Sequence, residues 1–300
     1  MNELQKFVEN MENWGYSVNA RNEFYAFIEA IDSNEKLIKE CQKIYHLLDE
    51  IVLDKEKNQF FTELKKGTEL FRARIIEVED DNNPDSGVGK TEKGLFTGYN
   101  EVNSREPLIG ISGNGRNNIA GASYLYVASN QETACMEVKS GYGDLLSLAT
   151  FETNKNMSII DFSIDKSFQH EDTVLHNMSL GIFFSLLMAQ YTLPVKSEKI
   201  YRATQILSDH LRKTGVDGIA YKSYLAPGGV NYTIFNSHSH AIKFVNSRVL
   251  MHKQANHSFW DFNNKQAIFS NPENNLMDYD QKIAGEHIKH LSQTFRRTDL

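Results

Sequence analysis

GRNNIAGASYLYVASNQETACMEVK, residues 115–139, is the stretch around which the rest of the chain is ordered. It sets Arg116 beside Gly115, continues through a small-residue turn into a strand-like SYLYVAS, and then starts a helix. Ser129-Asn130-Gln131-Glu132 has the S-x-x-E form of a capping box, in which a hydroxyl and a carboxylate satisfy the orphan amides of a first turn. The helix is therefore predicted to begin there. Tyr124 and Tyr126 lie two apart and share one strand face. Glu137 follows inside the helix, among Ala134, Cys135, Met136 and Val138, a run apolar enough to bury more than one side. A carboxylate in such surroundings needs a partner or a chemical task. Read along the chain, the order is anion contact, turn, aromatic strand, helix, acid.

Upstream, ELFRARIIEV (69–78) alternates with period two. Leu70, Arg72 and Arg74 take one face, and Phe71, Ala73 and Ile75 the other. Residues 80–114 are rich in Asp, Asn, Gly and Ser and predict a long surface loop. GVGKTEKG (87–94) within it imitates a phosphate loop, but Pro84 stands where the first Walker glycine belongs. Residues 1–66 predict helices, with Leu37, Cys41, Ile44, Leu48 and Ile51 at three- and four-residue steps. Gly67 ends that regime, and a domain boundary is expected there.

Downstream, strands are expected at 145–153, 157–163 and 230–236, with another over 241–249. A buried helix over 174–193 is halted by Pro194. YRATQILSDHLRKTGVDGIAYKS (201–223) predicts a helix opened near Thr204-Gln205, a stop at Gly215, and a strand ending at Ser223. Strands joined mostly without long helical crossovers argue for an α+β fold with a mixed or antiparallel sheet, not a doubly wound one. Three segments result: an all-helical domain over 1–66, a strand-rich α+β domain over 67–250, and a polar appendage over 251–300 with an amphipathic candidate at 279–295.

With 300 residues, 40% apolar and 24% charged, the chain can bury a sizeable core. A net charge of −7 leaves no electrostatic footprint for nucleic acid. Two cysteines, Cys41 and Cys135, make neither a disulfide framework nor a four-thiolate zinc site, and they predict a cytoplasmic protein. The N-terminal residues carry Glu3, Glu9 and Glu12 and no apolar run, so no secretory signal is expected there. No segment predicts a membrane span. His238 and His240 share a strand face but have no identifiable third ligand, so no metal site is expected.

Several blocks together resemble the RES domain, a family named for its arginine, glutamate and serine. LFRAR (70–74) is similar to its opening strand, GRNNIAGASYLYVA (115–128) to its glycine–arginine block, and ETACMEVK (132–139) to its glutamate helix. YRATQ (201–205), DGIAYKS (217–223) and GGVNYTIFN (228–236) resemble its last blocks. The pattern departs at Asn117, where relatives carry an aromatic. The resemblance implies an ADP-ribosyltransferase-like fold and an enzyme that consumes NAD by cleaving its nicotinamide–ribose bond. Such enzymes are commonly bacterial toxins restrained by an antitoxin, and water or phosphate is the expected acceptor. NAD is then the substrate, and no cofactor is expected.

The resemblance assigns catalysis to Glu137, Arg72 and Arg116, and substrate binding to Tyr126 and to a hydroxyl, either Ser223 or Thr204. Chains of this kind often open with a small HEPN-like helical domain. Its nucleolytic form needs an arginine followed closely by a histidine on one helix, and neither Arg21 nor His46 has that partner. Two other readings use the same residues: ADP-ribosyl transfer onto a macromolecule, and a non-catalytic interaction module that has kept the fold.

Overall fold

The structure, a computed structural model, describes residues 21–31, 34–53, 60–76, 88–90, 96–163, 174–192, 198–237, 240–252, 259–261, 266–268 and 276–278. The amphipathic candidate at 279–295 and His238 lie outside these residues.

In chain order the helices are α1 (21–30), α2 (Asn34–Leu53), α3 (Glu101–Ser104), α4 (Gln131–Glu137), α5 (Val174–Thr192) and α6 (Glu198–Lys213). The strands are β1 (Phe61–Leu64), β2 (Glu69–Ile75), β3 (Val88–Lys90), β4 (Phe96–Tyr99), β5 (Leu125–Ala128), β6 (Leu145–Thr153) and β7 (Met157–Phe162). They continue as β8 (Gly218–Lys222), β9 (Val230–Ile234), β10 (Ile242–His252), β11 (Phe259–Asp261), β12 (Gln266–Ile268) and β13 (Leu276–Asp278). The predicted loop over 80–114 thus holds the short ladder β3–β4 and one turn of helix. Elements of three or four residues are too short to leave a periodic signature.

The chain divides into two compact units. The first joins Met1–Lys66, Pro107–Tyr126 and Asn154–Ala241. Its ladder runs β1-β7-β8-β9 and reaches β5 at Leu125 and Tyr126. β7 and β8 are parallel, and the crossover between them supplies α5 and α6, while β1–β7 and β8–β9 are antiparallel. The mixed pairing confirms the α+β class. A large apolar core runs through the described residues of this unit. Ile44, Leu48 and Ile51 of α2 lie fully buried with Phe183, Leu187 and Tyr191 of α5, Leu207 and Leu211 of α6, and Ile160 and Phe162 of β7. Tyr191 stacks on Phe162 with ring centroids 4.7 Å apart. One boundary of this unit falls at Lys66, and α1 and α2 enter the same core as α5 and α6. The apolar stripe of α2 shares this core with Phe24 and Phe27 of α1. It buries itself against α5 and α6, and β1 pairs with β7.

The second unit joins Gly67–Glu106, Val127–Thr153 and Ile242–Leu300. From Val127 and Ala128 of β5 its antiparallel ladder runs β2-β6-β10-β13. α4 lies on this ladder. Ala134 and Cys135 pack with Phe71 and Ala73 of β2, Ala128 of β5, Leu146 and Leu148 of β6, and Leu250 of β10. β4 approaches β6 and β10 closely at Gly98. A Cβ there would stand 2.6 Å from Ser147 Oγ and 2.8 Å from Ser247 Oγ, and those hydroxyls instead bond the Tyr99 amide and carbonyl. Within residues 251–300, β13 pairs with β10 in this ladder.

Candidate functional site

In the first unit, Arg116 sits on a loop tied down from several sides. Tyr126, near the start of β5, sends its hydroxyl into that loop. It accepts from the Asn117 amide at 3.0 Å and donates to Asn118 Oδ1 at 2.7 Å. Burial pushes the Tyr126 phenol well above its ordinary pKa, with the nearby Tyr221 hydroxyl acting in the same direction. This phenol stays protonated, as a donor must. Asn118 turns its amide nitrogen toward three carbonyls, those of Gly113 (3.0 Å), Ile119 (3.1 Å) and Ala122 (2.8 Å). The Gly115 amide closes the turn on the Asn118 carbonyl at 2.9 Å.

Gly115 is glycine because of this packing. A Cβ there would stand 2.3 Å from Asn118 Oδ1 and 2.8 Å from the Tyr126 hydroxyl. The glycine serves the loop's own closure. Asn117, fully buried, donates from Nδ2 to Thr233 Oγ1 of β9 at 2.6 Å. Its Oδ1 has no hydrogen-bond partner among the described residues.

α6 holds the other side of the loop. The Thr204 hydroxyl reaches the Arg116 carbonyl and also the Tyr201 carbonyl at 3.0 Å. Gln205 donates from Nε2 to the Gly115 carbonyl at 2.8 Å. The Arg116 guanidinium lies over the Tyr201 ring, 5.5 Å from its centroid, at a range where a cation is attracted to the ring face. Thr204 and Gln205 stand in the second turn of α6, which starts at Glu198, not at its opening as expected. Ser223 is elsewhere in this unit. Its hydroxyl accepts from the Ala226 amide (2.9 Å) and the Leu225 amide (3.2 Å), while its own amide donates to the Gly229 carbonyl. Those bonds shape the turn after β8.

The second unit carries Arg72 and Glu137. Arg72, half-buried on β2, donates from Nη1 to the Ser104 carbonyl at 3.3 Å. Its neighbour Arg74 bonds the Asn103 carbonyl and lies 5.2 Å from the Tyr99 ring centroid. The two strand arginines therefore converge on the end of α3, whose exposed carbonyls attract cations.

Glu137 ends α4 and is exposed. The helix buries Thr133, Ala134 and Cys135, with Met136 and Val138 half-buried, so Glu137 is carried on the outer side of an otherwise covered turn. Burial raises the Cys135 thiol to about 11, which marks an inert core residue and no nucleophile. Asn130, not Ser129, caps the helix, its Oδ1 accepting from the Thr133 amide at 2.8 Å.

Of the predicted site residues, Arg116, Tyr126 and Thr204 come together in one hydrogen-bonded knot, and Ser223 does not join it. Sequence reading missed Tyr201, Gln205, Asn117 and Asn118. The i, i+3, i+4 spacing of Tyr201, Thr204 and Gln205 was the available signal for two of them. No group of three or more His, Cys, Asp or Glu side chains gathers in metal-binding fashion among the described residues. None of the described helices is long and apolar enough to cross a membrane.

A family model described as "RES domain" matches residues 98–259, more than half of the chain. It takes in Arg116, Tyr126, Glu137, Thr204 and Ser223, while Arg72 precedes it. No curated protein matches the chain. Among solved structures, the chain is similar to a protein in a crystal structure titled as the M. tuberculosis MbcT-MbcA toxin-antitoxin complex. The identity is 11% and the TM-score 0.34, over 63% of this chain and 87% of that one.

Proposed function

The chain belongs to the RES domain family, and from that premise we propose that it is an NAD-consuming enzyme that cleaves the nicotinamide–ribose bond. The observation that carries the reading is the family match over residues 98–259, within which the Arg116 loop is built as a fixed cation. NAD presents a diphosphate, which a guanidinium can grip with two parallel hydrogen bonds. That grip is assigned to Arg72 or Arg116. Thr204 and Tyr126 act through Arg116's loop, and Ser223 shapes the turn after β8.

In the reaction the C1′–N bond breaks and its electron pair leaves with nicotinamide, which departs neutral. The ribose is left oxocarbenium-like, and water, losing a proton, or a phosphate oxygen takes C1′. Because the leaving group begins as a cation, the step calls for no Lewis acid. Glu137 is assigned to the developing positive charge. An ion pair at 4 Å and an effective dielectric of 20 is worth about 4 kcal/mol. A carboxylate so placed supplies on the order of a thousandfold in rate. A protein partner that restrains the activity, as a toxin of this family needs, belongs to the same proposal.

The test is Glu137→Gln, which keeps size and removes charge. We expect NAD cleavage to fall by about two to three orders of magnitude with KM little changed, because the lost interaction grows only in the transition state. Turnover within a few-fold of the unmodified protein would remove Glu137 from the reaction.

A further inference from the structure

The Arg116 loop is gripped by a single helix face. Tyr201, Thr204 and Gln205 stand at i, i+3 and i+4 of α6, so their side chains lie together on one side of it. Each takes a different handle on the same two residues. The Tyr201 ring lies beneath the Arg116 guanidinium at 5.5 Å, the Thr204 hydroxyl reaches the Arg116 carbonyl, and the Gln205 amide holds the Gly115 carbonyl at 2.8 Å.

Thr204 is fully buried and Gln205 is 8% exposed, so neither amide nor hydroxyl is a casual surface contact. From the opposite side, Tyr126 and Asn118 lock the same turn. The backbone at 115–116 is thus fixed on both flanks, and the Tyr201 ring adds a contact to the arginine side chain itself. The ring narrows the positions the Arg116 guanidinium can take.

We propose that Tyr201 and Gln205, with Thr204, form a positioning face that presents the Arg116 guanidinium to the anionic part of the substrate. This rests on the NAD reading above. A flexible arginine loses rotamer freedom when it grips an anion, and a ring beneath it on a fixed backbone removes part of that loss before the ligand arrives. The face therefore sets affinity for the diphosphate and leaves the bond-breaking step nearly untouched.

The experiment uses the full chain with Tyr201→Leu, Tyr201→Phe and Gln205→Ala, each first checked for a cooperative melt. Two quantities are read: KM and kcat for NAD cleavage, and the Nε–H resonance of Arg116 by NMR, assigned through its loss in Arg116→Lys. Tyr201→Leu should shift the resonance from its position in the unmodified protein and raise KM about tenfold, with kcat within about threefold. Gln205→Ala should do the same more weakly. Tyr201→Phe, which keeps the ring, should rescue both readouts. Tyr201 is only half-buried, so its variants keep the test open even if Gln205→Ala fails to fold.

An unmoved resonance, a moved resonance with unchanged KM, a loss confined to kcat, or a Phe variant as impaired as Leu would each overturn the proposal. If the unmodified protein leaves NAD intact, the NAD reading fails by itself. Inorganic pyrophosphate titrated at the Arg116 resonance then replaces KM. Weaker pyrophosphate binding by Tyr201→Leu than by the unmodified chain supports the positioning face, and equal binding overturns it.

Discussion

Tyr126 shows how a single hydroxyl redefines a residue. On a strand among aromatics, a tyrosine offers a ring, and stacking on a base is the natural expectation. Here the oxygen carries the role, accepting from the Asn117 amide and donating to Asn118 Oδ1 at the root of the Arg116 turn. Tyr126→Phe separates the two roles, because it keeps the ring and removes the bridge. Losing a buried hydroxyl that satisfies both a donor and an acceptor should cost about 1–3 kcal/mol. NAD affinity should fall with it, as the turn beneath Arg116 loosens. A melting midpoint and KM both equal to those of the unmodified protein would return Tyr126 to the stacking role. Neighbouring Asn117, the departure from the family pattern, spends its amide on Thr233. An asparagine here acts as a bolt between the loop and β9, where an aromatic could only pack.

At the scale of elements, α4 is the informative case. Its S-x-x-E sequence pointed to Ser129 as cap, whereas the extended backbone at Asn130 (φ −150°, ψ 166°) puts that residue in the capping position. Serine and asparagine cap almost equally well, so with both adjacent the sequence leaves the start uncertain by one residue. Asn130→Ala should therefore cost about 1 kcal/mol in a denaturant melt, and Ser129→Ala several-fold less. Equal losses would return the cap to Ser129.

The long, strongly patterned elements were legible. The strands at 145–153 and 157–162, the helix ending before Pro194, and the stop at Gly215 with its φ of +85° all follow from periodicity and from glycine and proline chemistry. For function, the sequence offered Arg116, Tyr126, Thr204 and Glu137 as candidates by residue type and motif position. It could not show that Tyr126 and Thr204 bind the Arg116 loop, since those bonds join residues eight and 88 positions apart. Nor could it show that Glu137 leaves the covered side of its helix. Met136 and Val138 flank it in sequence but are only half-buried themselves.

For the whole molecule, the shared core changes what a truncation should do. α2 buries Ile44, Leu48 and Ile51 completely against α5 and α6. At about 25 cal/mol per Å² of apolar surface, stripping away three such side chains alone forfeits about 5–9 kcal/mol, comparable to the whole stability of a domain. A chain beginning at Lys66 also loses β1 from the edge of its ladder. It should aggregate or melt without cooperativity, as read by calorimetry. A sharp melt close to that of the full chain would mean that residues 1–65 are dispensable to the fold.

The central claim, that this fold consumes NAD, is tested most directly by incubating the full chain with NAD, with and without phosphate and without added metal, and identifying the products by mass. The account predicts catalytic release of free nicotinamide, with ADP-ribose as the second product in water or its 1″-phosphate when phosphate is the acceptor, undiminished by a chelator. Intact NAD after many enzyme equivalents of time, loss of turnover on chelation, or ADP-ribose recovered only as a stoichiometric adduct on protein would contradict it.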